Sequence, residues 1–213
     1  MLTSESLLPS SGGPPRQLVI LVHGLGADGR DMIELGHGWR HAFPDAAFLA
    51  PDAPDPCDMS PFGRQWFSLM DRRPAIMANA AAVAATHLAG FIQAAMSDMA
   101  LTSRDLAIVG FSQGMMMALQ VGLAWPQPLG AIIGYSGALL GAPQPGPMKG
   151  TPILLVQGEE DEIVPPAAHE HAMDGLRGLG LEPTALLLPG LGHMIDDRGM
   201  EAGRSFLKAA FDR

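Results

Sequence analysis

The stretch DLAIVGFSQGMMMALQVGLAW, residues 105–125, decides the fold. Its first part, DLAIVG, is a short apolar run of the kind that forms a strand buried on both faces. Its later part, from Gln113 onward, is built from good helix formers. Only Phe111 and Ser112 stand between, so strand passes into helix without a loop. Such a turn strains the backbone of its central residue and needs small residues two positions to either side, because neighbouring backbone comes close. Gly110 and Gly114 meet that need. The Ser112 hydroxyl is then lifted above the sheet at the positive end of a helix, where a substrate can reach it. A chain with 26 glycines produces G-x-S-x-G by chance, so the weight rests on the strand–turn–helix context.

Working outward, five more apolar runs read as buried strands: Gln17–Val22, Ala46–Ala50, Ala131–Tyr135, Pro152–Gln157 and Thr184–Leu188, beside Asp105–Gly110. Helical patterns cover 30–42, 74–98, 114–124, 166–179 and 197–211. The alternation predicts an α/β fold with a mainly parallel sheet of six to seven strands, helices on both faces and no large lid domain. Two segments break the alternation. GAPQPGPMKG, residues 141–150, reads as an irregular loop. PDAPDPCDMSPFGRQWFSLMDRRP is an irregular excursion at about 51–73, of a length that usually marks a functional loop. Residues 1–213 read as one domain, with 1–16 weakly structured or forming an edge strand.

A chain of 213 residues with 47% hydrophobic residues can bury a large core unaided. The net charge of −9, with 13 scattered basic residues, excludes a phosphate-backbone partner, so no nucleic acid is expected. Cys57 is the only cysteine, no signal peptide pattern opens the chain, and a cytoplasmic setting fits. The uncharged stretch from Pro74 to Ser97 is long enough to raise a membrane span. Its pattern argues instead for a helix covering a sheet: Ile76, Ala80, Val83, Leu88, Phe91 and Ala95 face inward, Asn79, Thr86, Gln93 and Ser97 outward, and His87 sits near the border. No stable membrane insertion is expected.

A serine hydroxyl needs a base within hydrogen-bond reach and an acid to orient that base. The strand PILLVQ runs into GEEDEIVP, placing Asp161 just past its carboxyl end. TALLLP runs into GLGHMIDD, placing His193 equivalently. Carboxyl ends of parallel strands are where α/β proteins build sites. The acidic neighbours Glu159, Glu160 and Glu162 are alternatives to Asp161, while Asp196 and Asp197 suit the start of the last helix. The order Ser, Asp, His is that of the α/β-hydrolases.

HGLGADGRD, residues 23–31, offers a rival: Gly24, Gly26 and Gly29 spell G-x-G-x-x-G after a strand, and Asp52 follows about 20 residues on, as in a dinucleotide site. His37 with His41, and His169 with His171, have no third ligand at motif spacing, so no metal is expected. Met115, Met116 and Met117 read as core filling. Trp66 and Phe67 either line a substrate pocket or anchor the excursion.

GFSQG, with HGLGADGRD and QWFSL upstream and GEEDEIVP and GLGHMID downstream, resembles the carboxylesterase, lysophospholipase and acyl-protein thioesterase family of α/β-hydrolases over about residues 18–211. The resemblance implies Ser112 as nucleophile, Asp161 as acid, His193 as base, and the backbone N–H groups of Leu25 and Gln113 as an oxyanion hole. It implies a serine esterase acting on short- to medium-chain carboxylic esters, with lysophospholipase or thioesterase activity as the alternative and no cofactor. A small ester or thioester is the expected partner, and a homodimer stays open. Two departures are noted. The N-terminal edge of the sheet is trimmed, and Gln157 stands where the family often has His. That change is expected to be harmless because the position lies inside the strand's end. The reading from another class is a non-catalytic or nucleotide-binding α/β module.

Overall fold

The computed structural model describes residues 2–141 and 150–213. The loop expected over GAPQPGPMKG lies, from 142 to 149, outside the described residues. The chain runs β1 (Ser4–Leu7), β2 (Gln17–Val22), α1 (Gly29–Trp39), β3 (Ala46–Pro51), β4 (Asp55–Pro56), β5 (Arg64–Gln65) and α2 (Pro74–Asp98). It continues through a short 3₁₀ turn (Ser103–Asp105), β6 (Leu106–Phe111), α3 (Gln113–Ala124), β7 (Ala131–Tyr135), β8 (Ile153–Gly158), α4 (Pro166–Gly178), β9 (Thr184–Leu188) and α5 (Asp197–Phe211). Seven strands form one sheet in the order β1-β3-β2-β6-β7-β8-β9. Every pairing is parallel except β1 on β3. This is the α/β-hydrolase arrangement with one antiparallel edge strand, so part of the N-terminal segment pairs as the edge.

The unbroken apolar runs of β2, β3, β6, β7 and β8 follow from burial on both faces, whereas β9, expected to be buried, is an edge strand with Thr184, Ala185 and Leu187 exposed. Along β2, Leu18, Ile20 and Val22 join a core with α2, α3 and α4, while Val19 and Leu21 join a second core with α1 and α5. A strand between two helix layers has no solvent side, so its sequence cannot alternate. The parallel register sets Val22 beside Gly110 and Gly110 beside Gly134, so the loops after β2, β6 and β7 open at one end.

α2 differs from expectation in its facing. Its buried residues are Ala81, Ala84, Leu88, Ile92 and Met96, whereas Ile76 and Val83 are 43% and 64% exposed. In a helix apolar on nearly every side, period alone barely distinguishes one stripe from the next. By length and composition α2 is apolar enough to cross a membrane, and it packs on the sheet core beside α3.

Asp52 settles what its position after β3 means. One carboxylate oxygen accepts the Gly29 N–H at the start of α1 (2.9 Å), and the other accepts the Thr3 hydroxyl (2.9 Å). Its acceptors are committed to a helix N-terminus and the edge strand rather than held open for a ribose. Asp52→Ala is expected to cost about 1–2 kcal/mol in urea unfolding, and NAD is expected to leave the unfolding midpoint of the parent protein unmoved.

Candidate active site

β6 ends at Phe111 and α3 begins at Gln113, so Ser112 makes the whole turn, at φ 54° and ψ −118°. A non-glycine residue held there costs on the order of 1–3 kcal/mol. Its N–H donates to the Tyr135 carbonyl (2.8 Å), and its carbonyl accepts the Met115 N–H (3.0 Å), which clamps it from both sides. A Cβ on Gly114 would run into the Val22 and His23 carbonyls, and one on Gly110 into the Gly114 carbonyl. The small residues flanking the serine are therefore demanded by contact with β2 and with the turn itself.

The sheet order places the ends of β6, β8 and β9 at the same rim, and three side chains meet across it. His193 Nε2 lies 3.0 Å from Ser112 Oγ, and His193 Nδ1 lies 2.8 Å from Asp161 Oδ2. A carboxylate only accepts, so Nδ1 carries the proton and Nε2 is left to accept from the serine hydroxyl. Asp161 Oδ1 takes the N–H groups of Ile163 (2.9 Å) and Val164 (2.8 Å). Burial pushes the Asp161 carboxyl up, but the Val164 N–H, His193 and the Ile163 N–H outweigh it and hold the acid below its ordinary value. Its side chain is fully covered, while that of His193 keeps 18% of its surface.

Glu159, Glu160 and Glu162 are exposed, and none of them hydrogen-bonds His193 among the described residues. Their backbone does other work: the N–H groups of Glu159 and Glu160 donate to the carbonyls of Leu188 and Leu191, tying the two loops together. Phe111 packs its ring 4.9 Å from that of His193.

On the other side of Ser112 lies the loop after β2. A Cβ on Gly24 would come 3.2 Å from Ser112 Cβ, so the loop that carries partly buried Leu25 lies against the serine. The loop is held by His23, which is fully buried. Its Nε2 accepts the Ala53 N–H (3.0 Å), so the proton sits on Nδ1 and is donated to the Gly24 carbonyl (2.7 Å). Burial holds the His23 pKa below its ordinary value. Gln113 supplies the first N–H of α3, one of the donors a helix leaves without an intrahelical partner. An arrangement of this kind can pass a proton from a hydroxyl to an imidazole and meet negative charge with backbone donors.

A sequence profile of the phospholipase/carboxylesterase family matches residues 5–211, nearly the whole chain. The chain belongs to that family. Among solved structures, esterase PE8 is 38% identical with a TM-score of 0.91, covering 98% of this chain and 99% of that one. Esterase YpfH of Escherichia coli is 29% identical over 95% of this chain and 86% of its own length. Acyl-protein thioesterase 1 of Gibberella zeae is 28% identical over 89% of this chain and 88% of its own.

This member of the phospholipase/carboxylesterase family supports its site with side chains that no motif announces. The Gln113 amide accepts the Trp66 N–H (2.9 Å) and donates to the Phe67 carbonyl (2.7 Å), and the Trp66 indole donates to the His23 carbonyl (3.0 Å). Trp66 and Phe67 are only 1% and 3% exposed, which makes them anchors and leaves them little surface to offer a substrate. The excursion is therefore pinned to both the elbow and the Gly24 loop. Gln157, where the sequence predicts a harmless change inside the strand's end, places its amide on Asp161 (3.0 Å). His169 is buried in the core while His171 is exposed, and Met115 and Met117 are core residues as expected. Gln113→Leu keeps the backbone N–H but strands two buried polar groups of the excursion. Unfolding stability is expected to fall by about 2–4 kcal/mol, with faster amide exchange over residues 64–68.

Proposed function

We propose that this protein is a serine carboxylesterase that hydrolyses short- to medium-chain carboxylic esters through an acyl-enzyme intermediate. The observation that carries the reading is the unbroken hydrogen-bonded line from Asp161 through His193 to Ser112 at the start of α3. Ser112 Oγ attacks the ester carbonyl as its proton passes to His193 Nε2, and Asp161 stabilises the imidazolium that forms. The Leu25 and Gln113 N–H groups receive the oxyanion, each such donor typically contributing about 10² to 10³ in rate. As the tetrahedral intermediate collapses, the departing alkoxide takes the proton from His193, leaving the acyl group on Ser112. Water then gives a proton to His193 and attacks the acyl carbonyl. Collapse returns that proton to Ser112 and frees the acid. These steps call on no metal or organic cofactor.

Exposed Met194 beside His193 and exposed Ile163 beside Asp161 put apolar surface at the rim, which suits an acyl chain of modest length. A thioester is the second reading, favoured by the similarity to acyl-protein thioesterase 1 of Gibberella zeae. His193 can protonate a departing thiolate as it does an alkoxide.

A fluorophosphonate probe is expected to label Ser112, and Ser112→Ala to lose both labelling and esterase activity. A folded Ser112→Ala variant with full activity would refute the assignment. Asp161→Asn is expected to keep the fold by circular dichroism and lower turnover by about 10⁴-fold, with Glu160→Gln close to the parent. On a panel of esters of increasing acyl length, run beside a palmitoyl thioester and a lysophospholipid, the highest kcat/KM is expected on short to medium acyl esters. A maximum on the palmitoyl thioester would favour the second reading.

A further inference from the structure

Gln157 is the penultimate residue of the buried strand β8 and is 1% exposed. Its Nε2 lies 3.0 Å from Asp161 Oδ2 and 2.8 Å from the Val164 carbonyl oxygen. Both neighbours can only accept, so the NH₂ must face them, and the other amide atom, Oε1, is buried without a partner among the described residues. The oxygen that receives the His193 proton thus receives a neutral amide N–H as well. The same amide holds the carbonyl of Val164, whose own N–H donates to Asp161 Oδ1.

We propose that Gln157 is a positioning residue that sets how tightly the Asp161–His193 pair holds its proton. The inference rests on the roles proposed for Ser112, His193 and Asp161. A carboxylate oxygen that accepts two hydrogen bonds has its charge dispersed over both. With the Gln157 amide in place, Asp161 pulls less strongly on the imidazolium form of His193 than it would without that second donor. An amide does not titrate, so this moderation is the same at every pH at which the fold persists.

The neighbouring ionisable groups leave the effect with this pair. His169 of α4 is buried, with neither ring nitrogen hydrogen-bonded among the described residues, and burial holds its pKa below the ordinary value. Tyr135 of β7 donates its hydroxyl to the Gly199 carbonyl, and burial raises its pKa beyond the ordinary range. His23 after β2 faces Gly24 and Ala53. Glu159, Glu160 and Glu162 of the Asp161 loop are exposed, Asp196 pairs with Arg198 at the start of α5, and Asp197 points to solvent. Among these, only His193 makes a hydrogen bond to Asp161.

The test compares the parent with Gln157→Leu, and with Gln157→Met should leucine prevent folding. The rate of fluorophosphonate labelling of Ser112 is followed from about pH 5 to about pH 9, and the His193 ring is titrated by NMR in the same proteins. In the variant the acid limb of labelling and the His193 titration are both expected to move to higher pH, by roughly half to one unit. Labelling at the acid end then falls roughly three- to tenfold more than at the alkaline plateau. A uniform loss across pH with both titrations unmoved would reduce Gln157 to packing and overturn the inference, as would a shift to lower pH. If the parent's Ser112 is not labelled, the proposed function fails, and the His193 titration still decides whether Gln157 tunes the pair.

Discussion

The contact of Gly114 with the Val22 and His23 carbonyls is the constraint on which the rest of the site depends. It brings the start of α3 against the end of β2 closely enough that no side chain fits between. Two consequences follow. Ser112 is driven into a left-handed conformation, and the loop carrying Leu25 comes to lie against it. Strain at one residue, on the order of 1–3 kcal/mol, is small beside what two helix layers over a seven-stranded sheet can hold. That rigid sheet lets a serine from β6, an acid from β8 and a histidine from β9 meet within hydrogen-bond distance.

The excursion between β3 and α2 is part of the same construction. Its backbone bonds to Gln113, its indole bonds to His23, and Arg64 exchanges backbone hydrogen bonds with Gly26 and Ala27 of the Gly24 loop. The Arg64 guanidinium binds the carbonyls of Ala53 and Pro54, which closes the excursion on itself. The loop after β2 and the elbow after β6 are thus held to one another through a third segment as well as directly. The proposed oxyanion hole, in which two backbone N–H groups would meet one oxygen, gains from such bracing, because angular freedom at either donor weakens both.

Much of this is legible in the amino-acid sequence. The six apolar runs form strands within a residue of their expected limits; five do so because a strand covered on both faces is written as continuous apolar residues, whereas β9 is an edge strand exposed at Thr184, Ala185 and Leu187. Ser112, Asp161 and His193 meet as the motif order implied, though only the structure separates Asp161 from its three glutamate neighbours. What stayed hidden has physical reasons. The inward face read for α2 is misphased at Ile76 and Val83, because a helix rich in alanine has little polar contrast to mark its outer side. Trp66 and Phe67 resisted assignment because an aromatic pair suits an anchor and a pocket equally until its exposure is known. Gln113 and Gln157 act through amides bonded to backbone or side chains 4 to 47 residues away, and no spacing rule encodes that.

Those hidden side chains share a chemical character. Gln113 braces the elbow and Gln157 braces the acid, both with amides that cannot change charge. His23 could change charge, but its two nitrogens are committed to opposite roles, Nδ1 donating to Gly24 and Nε2 accepting from Ala53. Protonating it would forfeit the Ala53 bond in a site from which water is excluded, so it behaves as a third neutral support. A charged lysine or glutamate in any of these places would add its field to that of Asp161 and make the proton affinity of His193 depend on a second titration. Neutral bracing leaves Asp161 as the one charged side chain hydrogen-bonded to His193 among the described residues.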